Sequence, residues 1–248
     1  MEYHILNGMC LYDNFPDHIK GERIVMHEAL LQGPLGGDLP LNEFWKMRAN
    51  HWKVPLKDYT EKVVTPLNKL ILAKKEDTLF FWFGTDLFCQ INFWFLLHYI
   101  HLHKISPSIG IIYPPKEIVE DSYGHYPSTF LAKKQFKPVF LNEKEINIAI
   151  ILWDLCKNGD IEGLRKLKLD KSEAFPEMME SIKFWIDLFP EDGLGIASRK
   201  VEALMNQGIL DFKELFKAFS ASFPTLGMGD QQVYEYYQTY LSKINYEK

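Results

Sequence analysis

The chain has 248 residues, of which 47% are hydrophobic and 15% aromatic, and its formal net charge is −5. This composition excludes a disordered chain, because it supplies enough apolar material for a core. The negative charge disfavours a general attraction to nucleic-acid backbones, although a local basic patch stays compatible with it. The length predicts one large domain or two small ones.

Three features favour a cytoplasmic protein with no membrane association. The three widely spaced cysteines, Cys10, Cys89 and Cys156, match neither a disulfide framework nor a zinc site, which favours a reducing compartment. The N-terminus lacks the basic flank and apolar core of a signal peptide. The most apolar stretch, residues 79–102, is interrupted by polar residues such as Asp86 and Asn92. A strand, a turn and a buried helix are therefore expected there in place of a membrane span.

The first half of the chain alternates predicted strands and helices. Short apolar runs predict strands at residues 3–6, 23–27, 78–83 and 109–113. The third run is apolar throughout, which is typical of a parallel strand buried on both faces. Helices are predicted at residues 13–19, at 41–52 with Asn42 as a cap, at 58–74 with an interruption at Pro66, and at 87–103. This alternation predicts an α/β fold with a small, mainly parallel sheet and flanking helices.

The second half predicts helices with at most one short strand. The helices are expected at residues 143–156, 161–169, 176–189, 197–206, 211–219 and 230–243, and the strand at 138–141. We therefore predict an α/β domain over residues 1–125, a linker over 126–141 and a mainly helical domain over 142–248. The two helices around Gly208, preceded by Gly193, have the order of a helix-turn-helix. Residues 211–217 contain two acids and two lysines and few side chains suited to reading bases, which favours a packing unit over a DNA reader.

Several polar residues follow the predicted strands, where open parallel sheets bind ligands. Asn7-Gly8 ends the first strand, Glu28 follows the second and precedes the loop at Gly33, and Thr85-Asp86 follows the third. We expect these residues to meet at one edge of the sheet. The helix after Asp86 presents free N–H groups that suit an anion, but Asp86 itself can take that place as the helix cap.

Glu28 and Arg48 offer two interpretations. A carboxylate next to a buried strand needs a partner, and Arg48 can provide one as a structural ion pair. Alternatively, Glu28 acts as a general base or ligand anchor and Arg48 holds an anionic group. Gln90 and Asn92, on an apolar helix, can read a nucleobase or sugar edge or can satisfy backbone groups. His98, His101 and His103 have no acid in register, and the sequence contains no recognised nucleotide-loop or nucleophile motif, so no metal or cofactor is assigned.

These residues, in this order, resemble a bacterial family of domains of unknown function, DUF1835. The similarity covers the first half and rests on short motifs: residues 4–8, residues 28–30 with Gly33-Pro34, Phe44-Trp45 with Arg48, and residues 82–87 with Gln90 and Asn92. The second half, with Gly193-Leu194, Glu202, Leu215-Phe216 and Gly229-Asp230, looks like the helical region (DUF3658-like) that usually accompanies the family. The chain has Met9 where the family commonly has an acid. The resemblance implies a location for the site but no activity.

The sequence therefore supports two functional hypotheses. The first is binding of a small anionic or nucleotide-like ligand at the carboxyl ends of the strands, with or without catalysis. The second is a ligand-sensing regulatory or interaction module whose helical half contacts a partner protein, or nucleic acid through a basic face at Arg199, Lys200, Lys213 and Lys217. The aromatic helices of the second half are also compatible with a homo-oligomer.

Overall fold

A five-stranded sheet organises the described part of the first half and includes one short strand from the second half. The structure, a computed structural model, describes residues 1–114, 123, 127–133, 135–190 and 194–246. The strands are β1 (Glu2–Asn7), β2 (Glu22–Met26), β3 (Thr78–Trp82), β4 (Ser108–Ile112) and β5 (Val139–Phe140). Their order is β2-β1-β3-β4-β5, with the first four parallel and β5 antiparallel to β4. The predicted α/β class and mainly parallel sheet are confirmed.

Both faces of the sheet are covered, as expected for parallel strands. Ile5 on β1, Phe81 on β3 and Ile111 on β4 face the larger core, and each is fully buried. Their neighbours Leu6 and Trp82 point the other way into a smaller core. This two-residue alternation follows from strand geometry.

The helices of the first half lie on both sides of this sheet. They are α1 (Met9–Asn14), α2 (Leu41–His51), α3 (Leu56–Tyr59), α4 (Thr65–Leu67) and α5 (Leu87–Leu102). A π-helical segment, Thr60–Val64, joins α3 to α4, and a short 3-10 helix spans Leu70–Leu72. The irregular helix fits the prediction at Pro66, because proline has no N–H to continue the hydrogen-bond ladder.

Two local predictions in this half are wrong. The helix expected at residues 13–19 lies earlier, at Met9–Asn14, and ends before Phe15, which is extended. Pro16 explains the early end, because a residue before proline avoids the helical conformation. The expected cap at Asn42 is also absent: α2 begins after Pro40 with no side-chain cap, and Asn42 donates to Glu43 instead.

Helix α5 passes through the middle of the molecule. Twelve of its 16 residues are buried, which explains why its sequence is apolar on all sides. The apolar stretch at residues 79–102 is thus β3, a turn and α5. Among the described residues, no helix combines the length and the apolar character needed to cross a membrane.

The second half is helical and packs on α5. Its helices are α6 (Ser128–Leu131), α7 (Glu143–Lys157), α8 (Ile161–Lys166), α9 (Met178–Leu188), α10 (Ile196–Asn206), α11 (Phe212–Ser222) and α12 (Asp230–Tyr246). A 3-10 helix spans Pro224–Leu226. Helix α7 begins with a capping box in which Asn142 and Glu145 bond each other's backbone N–H groups. The six predicted helices are confirmed.

The two halves share one hydrophobic core, in which Phe95 of α5 packs against Trp153 of α7 with ring centroids 5.0 Å apart. The segment predicted as a linker, residues 126–141, contains α6 and β5, and β5 belongs to the sheet. Residues 126 and 134 of that segment lie outside the described residues, as does Gly193 of the predicted helix-turn-helix. Helices α10 and α11 turn at Gly208 and both pack on α12.

Candidate functional site

In an open parallel sheet a crevice is expected where the strand order reverses, which here is between β1 and β3. The chain runs from β1 outward to β2 on one side, and β3 and β4 continue on the other side of β1. In doubly wound sheets, ligands bind beyond the carboxyl ends of the strands where the strand order reverses in this way. Here that point lies between Asn7, the last residue of β1, and residues 84–86, which follow β3.

Glu28 and Arg48 form a fully buried ion pair near this edge. Arg48 Nη2 lies 2.8 Å from Glu28 Oε1, and Arg48 Nε lies 3.1 Å from Oε2. The remaining N–H groups of Arg48 donate to the carbonyls of Ala29, Gln32 and Pro34, at 3.1, 2.6 and 3.1 Å. All five donors of the guanidinium are therefore used, and its side chain is 0% exposed.

The Glu28 carboxylate is equally well satisfied. Besides Arg48, it accepts hydrogen bonds from the backbone N–H of Ala29, from Trp52 Nε1 and from the Tyr59 hydroxyl. Burial alone would raise the pKa of Glu28, but the hydrogen bonds and charge of Arg48, with those from Tyr59 and Ala29, hold this pKa below its ordinary value. Burial and the nearby Glu28 carboxylate raise the pKa of Tyr59 well above its ordinary value. A base that accepts a proton near neutral pH needs the opposite shift, so this environment favours the structural ion pair.

Asn92 connects three parts of the site. It is 0% exposed, and its Nδ2 donates to Asn7 Oδ1 at 3.1 Å and to the Glu28 carbonyl at 3.0 Å. Its Oδ1 accepts from the backbone N–H of Leu30 at 3.1 Å. Asn92, on α5, therefore links this helix to β1 and to the loop that follows β2. Of its two predicted roles, the structure shows the satisfaction of backbone groups.

Asp86 caps helix α5. Its Oδ1 accepts from the backbone N–H of Cys89 at 2.8 Å, and its side chain is buried. The helical half covers this cap: a Cβ on Gly227 would lie 2.1 Å from Asp86 Oδ1, so only glycine permits this approach. Since the carboxylate already occupies the amino end of α5, the expected attraction of that helix for an anionic ligand is offset.

Gln90 and the two glycines serve mainly to shape the backbone. Gln90 Nε2 donates to the Gly84 carbonyl at 2.7 Å. Gly8 and Gly33 both have positive φ, at 96° and 77°, and the His51 ring packs where a Cβ of Gly33 would lie. Thr85 is half-buried beside Asp86.

Asn7 differs from its neighbours because its amide keeps hydrogen-bonding capacity. Its Nδ2 donates to Cys89 Sγ at 3.0 Å, and its Oδ1 accepts from Asn92. An amide has two N–H groups and two acceptor positions, so one of each stays unused, and the side chain is half-buried. Asn7 can therefore pair with an adjacent donor and acceptor on another molecule.

Sequence reasoning missed four participants: Trp52, Tyr59, Cys89 and Gly227. Trp52 and Tyr59 are 24 and 31 residues from Glu28, and no local pattern links them to it. Cys89 is buried, and its sulfur accepts a hydrogen bond from Asn7. Burial, followed by the Asp86 charge, raises the pKa of the Cys89 thiol, so this thiol is a poor nucleophile. Within the described ranges, no cluster of three or more His, Cys, Asp or Glu side chains could hold a metal ion.

Comparisons of the chain with family models, with curated proteins and with solved structures gave no match. The resemblance to DUF1835 stays a prediction based on the motifs given above.

Proposed function

We propose that this protein binds a small polar ligand in the crevice between the carboxyl ends of β1 and β3. The observation that carries the proposal is the free donor and acceptor of Asn7, half-exposed where the strand order reverses. A donor next to an acceptor is the pattern on the edge of a nucleobase or a sugar. A nucleoside or sugar-like ligand is therefore the class we propose.

In this proposal some residues of the site contact the ligand, and the others support the backbone around it. Asn7, Gly8 and Thr85 contact the ligand directly, since they are half-buried and lie where β1 and β3 end. The others, Glu28, Gly33, Arg48, Asp86, Gln90 and Asn92, hold the backbone of the crevice in place. Because both oxygens of the Glu28 carboxylate already accept hydrogen bonds from the protein, we propose that the site binds its ligand without Glu28 acting as a catalytic base. The negative charge of Asp86 favours an uncharged polar group over a phosphate next to the α5 terminus.

A thermal-shift panel of nucleosides, the matching nucleotides, sugars and sugar phosphates tests the proposal. A ligand at about 100 times its Kd stabilises the folded state by roughly 2.7 kcal/mol, which raises the Tm by about 5–11 °C in a chain of this size. We expect a nucleoside or sugar to give such a shift and its phosphorylated form to give a smaller one. A panel in which no compound shifts the Tm contradicts the proposal, and a larger shift with the phosphorylated form contradicts the uncharged class.

A matched pair of glycine variants locates the site. Gly8 (φ 96°) and Gly208 (φ 90°) have similar backbone strain, and a Cβ at either position meets open space. Gly8→Leu places a side chain at the crevice, whereas Gly208→Leu places one at the remote turn between α10 and α11. We expect Gly8→Leu to lose the ligand-induced shift and Gly208→Leu to keep it. Loss in both variants, or in neither, contradicts this location.

A second candidate function is partner binding through the helical half. Leu210 is 59% exposed and Tyr234 44% exposed, beside Phe212 and Tyr237. Aromatic surfaces of this kind are typical of protein interfaces, which favours a protein partner or a second copy of the chain. Mass measurement by size exclusion tests self-association. Retention on nucleic acid that falls steeply with salt would instead support the basic face at Arg199, Lys200, Lys213 and Lys217.

For localisation we propose the cytoplasm. Cys10, Cys89 and Cys156 are all free thiols, which fits a reducing compartment. Fractionation of cells that express a tagged chain tests this.

A further inference from the structure

A concave site lies far from Asn7, at the other end of α5. It is a cleft of about 440 Å³ between the start of α2, the end of α5 and the end of α7. This volume is within the range of pockets for small organic molecules. Helix α5 has 16 residues, so its two ends are about 24 Å apart at roughly 1.5 Å per residue. The cleft is therefore separate from the site at Asn7 and Asp86.

The walls of the cleft are mainly apolar. Eight of the lining residues are aliphatic, aromatic or proline: Leu35, Leu39, Pro40, Leu41, Phe44, Phe95, Leu102 and Trp153. Three of them form an aromatic floor, in which the ring of Phe95 lies 5.7 Å from that of Phe44 and 5.0 Å from that of Trp153. Such a floor suits a flat or ring-containing ligand, because aromatic rings pack well against one another.

The charged groups at the cleft are already paired with one another. Lys157 Nζ lies 2.9 Å from Asp154 Oδ1 and 3.7 Å from Asp38 Oδ1. An anionic ligand would have to compete with these carboxylates for Lys157, and a cationic ligand would have to compete with Lys157 for the carboxylates. Each of these groups already has a partner of opposite charge, although two carboxylates share one lysine, so an uncharged ligand enters the cleft without breaking an ion pair.

His98 provides the unused polar group. Its side chain lines the cleft and is 12% exposed, and its Nδ1 lies 3.6 Å from Asp154 Oδ1. That distance exceeds a hydrogen bond, and Nδ1 has no hydrogen-bond partner. Nδ1 itself is too buried for a ligand to reach, but Nε2, the other ring nitrogen, makes no hydrogen bond to the described residues and can pair with a ligand in the cleft.

We propose that this cleft binds a small, uncharged, ring-containing ligand whose single hydrogen-bonding group pairs with His98. The apolar walls and aromatic floor take the ring. The existing ion pairs of Lys157 disfavour charged relatives of the same molecule. The ligand is thus distinct in chemistry from the polar ligand at β1 and β3.

The test uses the full chain and three probes of similar shape: indole, its carboxylate relative indole-3-acetate and its ammonium relative tryptamine. Isothermal titration calorimetry should detect saturable binding of indole, with the two charged probes at least tenfold weaker. Absence of saturable indole binding up to its solubility limit overturns the proposal. So does tighter binding of either charged probe.

Two variants and a control locate the binding. Leu102 is 47% exposed at the mouth of the cleft, so Leu102→Trp fills it without disturbing the core, and indole affinity should fall more than tenfold. Leu210→Trp, at an exposed leucine outside the cleft, should leave the affinity within about twofold. His98→Phe keeps the ring but removes the hydrogen bond, and should weaken indole about two- to tenfold. Equal effects of Leu102→Trp and Leu210→Trp, or unchanged affinity in His98→Phe, overturn the assignment.

Discussion

Replacement of Arg48 by methionine tests the structural role of the buried ion pair. The substitution leaves the Glu28 carboxylate buried without its cation and removes the donors to the carbonyls of Ala29, Gln32 and Pro34. Removal of one partner from a buried pair costs about 3–5 kcal/mol. The three carbonyls that lose their partners place this case at the upper end of that range. In a chain of this length, such a loss lowers the Tm by roughly 10 °C or more.

Urea unfolding, followed by far-ultraviolet circular dichroism, measures this loss. The matched control is Lys46→Met, on the same helix, where a cation with a half-exposed side chain pairs with Glu43. An exposed pair of this kind contributes about 0–1 kcal/mol, so the control should unfold close to the unchanged chain. If Arg48→Met costs less than about 1 kcal/mol, or no more than Lys46→Met, the structural role is refuted.

A double-mutant cycle separates the pair from its surroundings. In Glu28→Gln alone, the new amide N–H₂ replaces a carboxylate oxygen and faces hydrogen-bond donors, because both oxygens of Glu28 accept hydrogen bonds. This variant should therefore be destabilised. The double variant Glu28→Gln with Arg48→Met should be less destabilised than the sum of the single variants, with a coupling of about 1–3 kcal/mol. Additive effects would show that the two side chains act independently.

Three further predictions concern other parts of the structure. Gly227→Ala should lower the free energy of unfolding in urea by about 2–4 kcal/mol, because the new Cβ would lie 2.1 Å from Asp86 Oδ1. At Gly208 a new Cβ would meet open space, so Gly208→Ala should cost only about 1 kcal/mol, for its positive φ. Equal losses would contradict the close approach of Gly227 to Asp86. Asn92→Leu should cost about 2–4 kcal/mol and speed hydrogen exchange near β1, because three buried hydrogen bonds are lost; unchanged exchange would contradict this link. Burial lowers the pKa of His4 below its ordinary 6.5, so on acidification the unfolded chain takes up a proton at His4 at a higher pH than the folded chain does. The free energy of unfolding should therefore fall as the pH drops below about 6.5. His4→Phe should weaken this pH dependence.

Much of the framework could be predicted from local sequence patterns. The apolar runs of β1, β3 and β4 and the periodic helices of the second half lie within a few residues of their expected positions, because strand and helix periodicity depends on neighbours in the chain. The turns after the strands also marked Asn7, Glu28 and Asp86 as residues at one edge of a parallel sheet. The first helix lies at Met9–Asn14 and not at the predicted residues 13–19, because Pro16 keeps Phe15 out of the helical conformation.

The roles of the site residues depended on contacts between distant segments. The sequence pattern alone indicates that a carboxylate at Glu28, next to a buried strand, needs a partner, and it offers Arg48 as one candidate. The hydrogen bonds from Tyr59 and Trp52 to that carboxylate become evident only from the folded structure. The same is true of the close packing of Gly227 against Asp86, the N-terminal cap of α5. Burial and hydrogen-bond saturation arise only when separate elements pack, and these two quantities distinguish the partly satisfied amide of Asn7 from the fully satisfied carboxylate of Glu28.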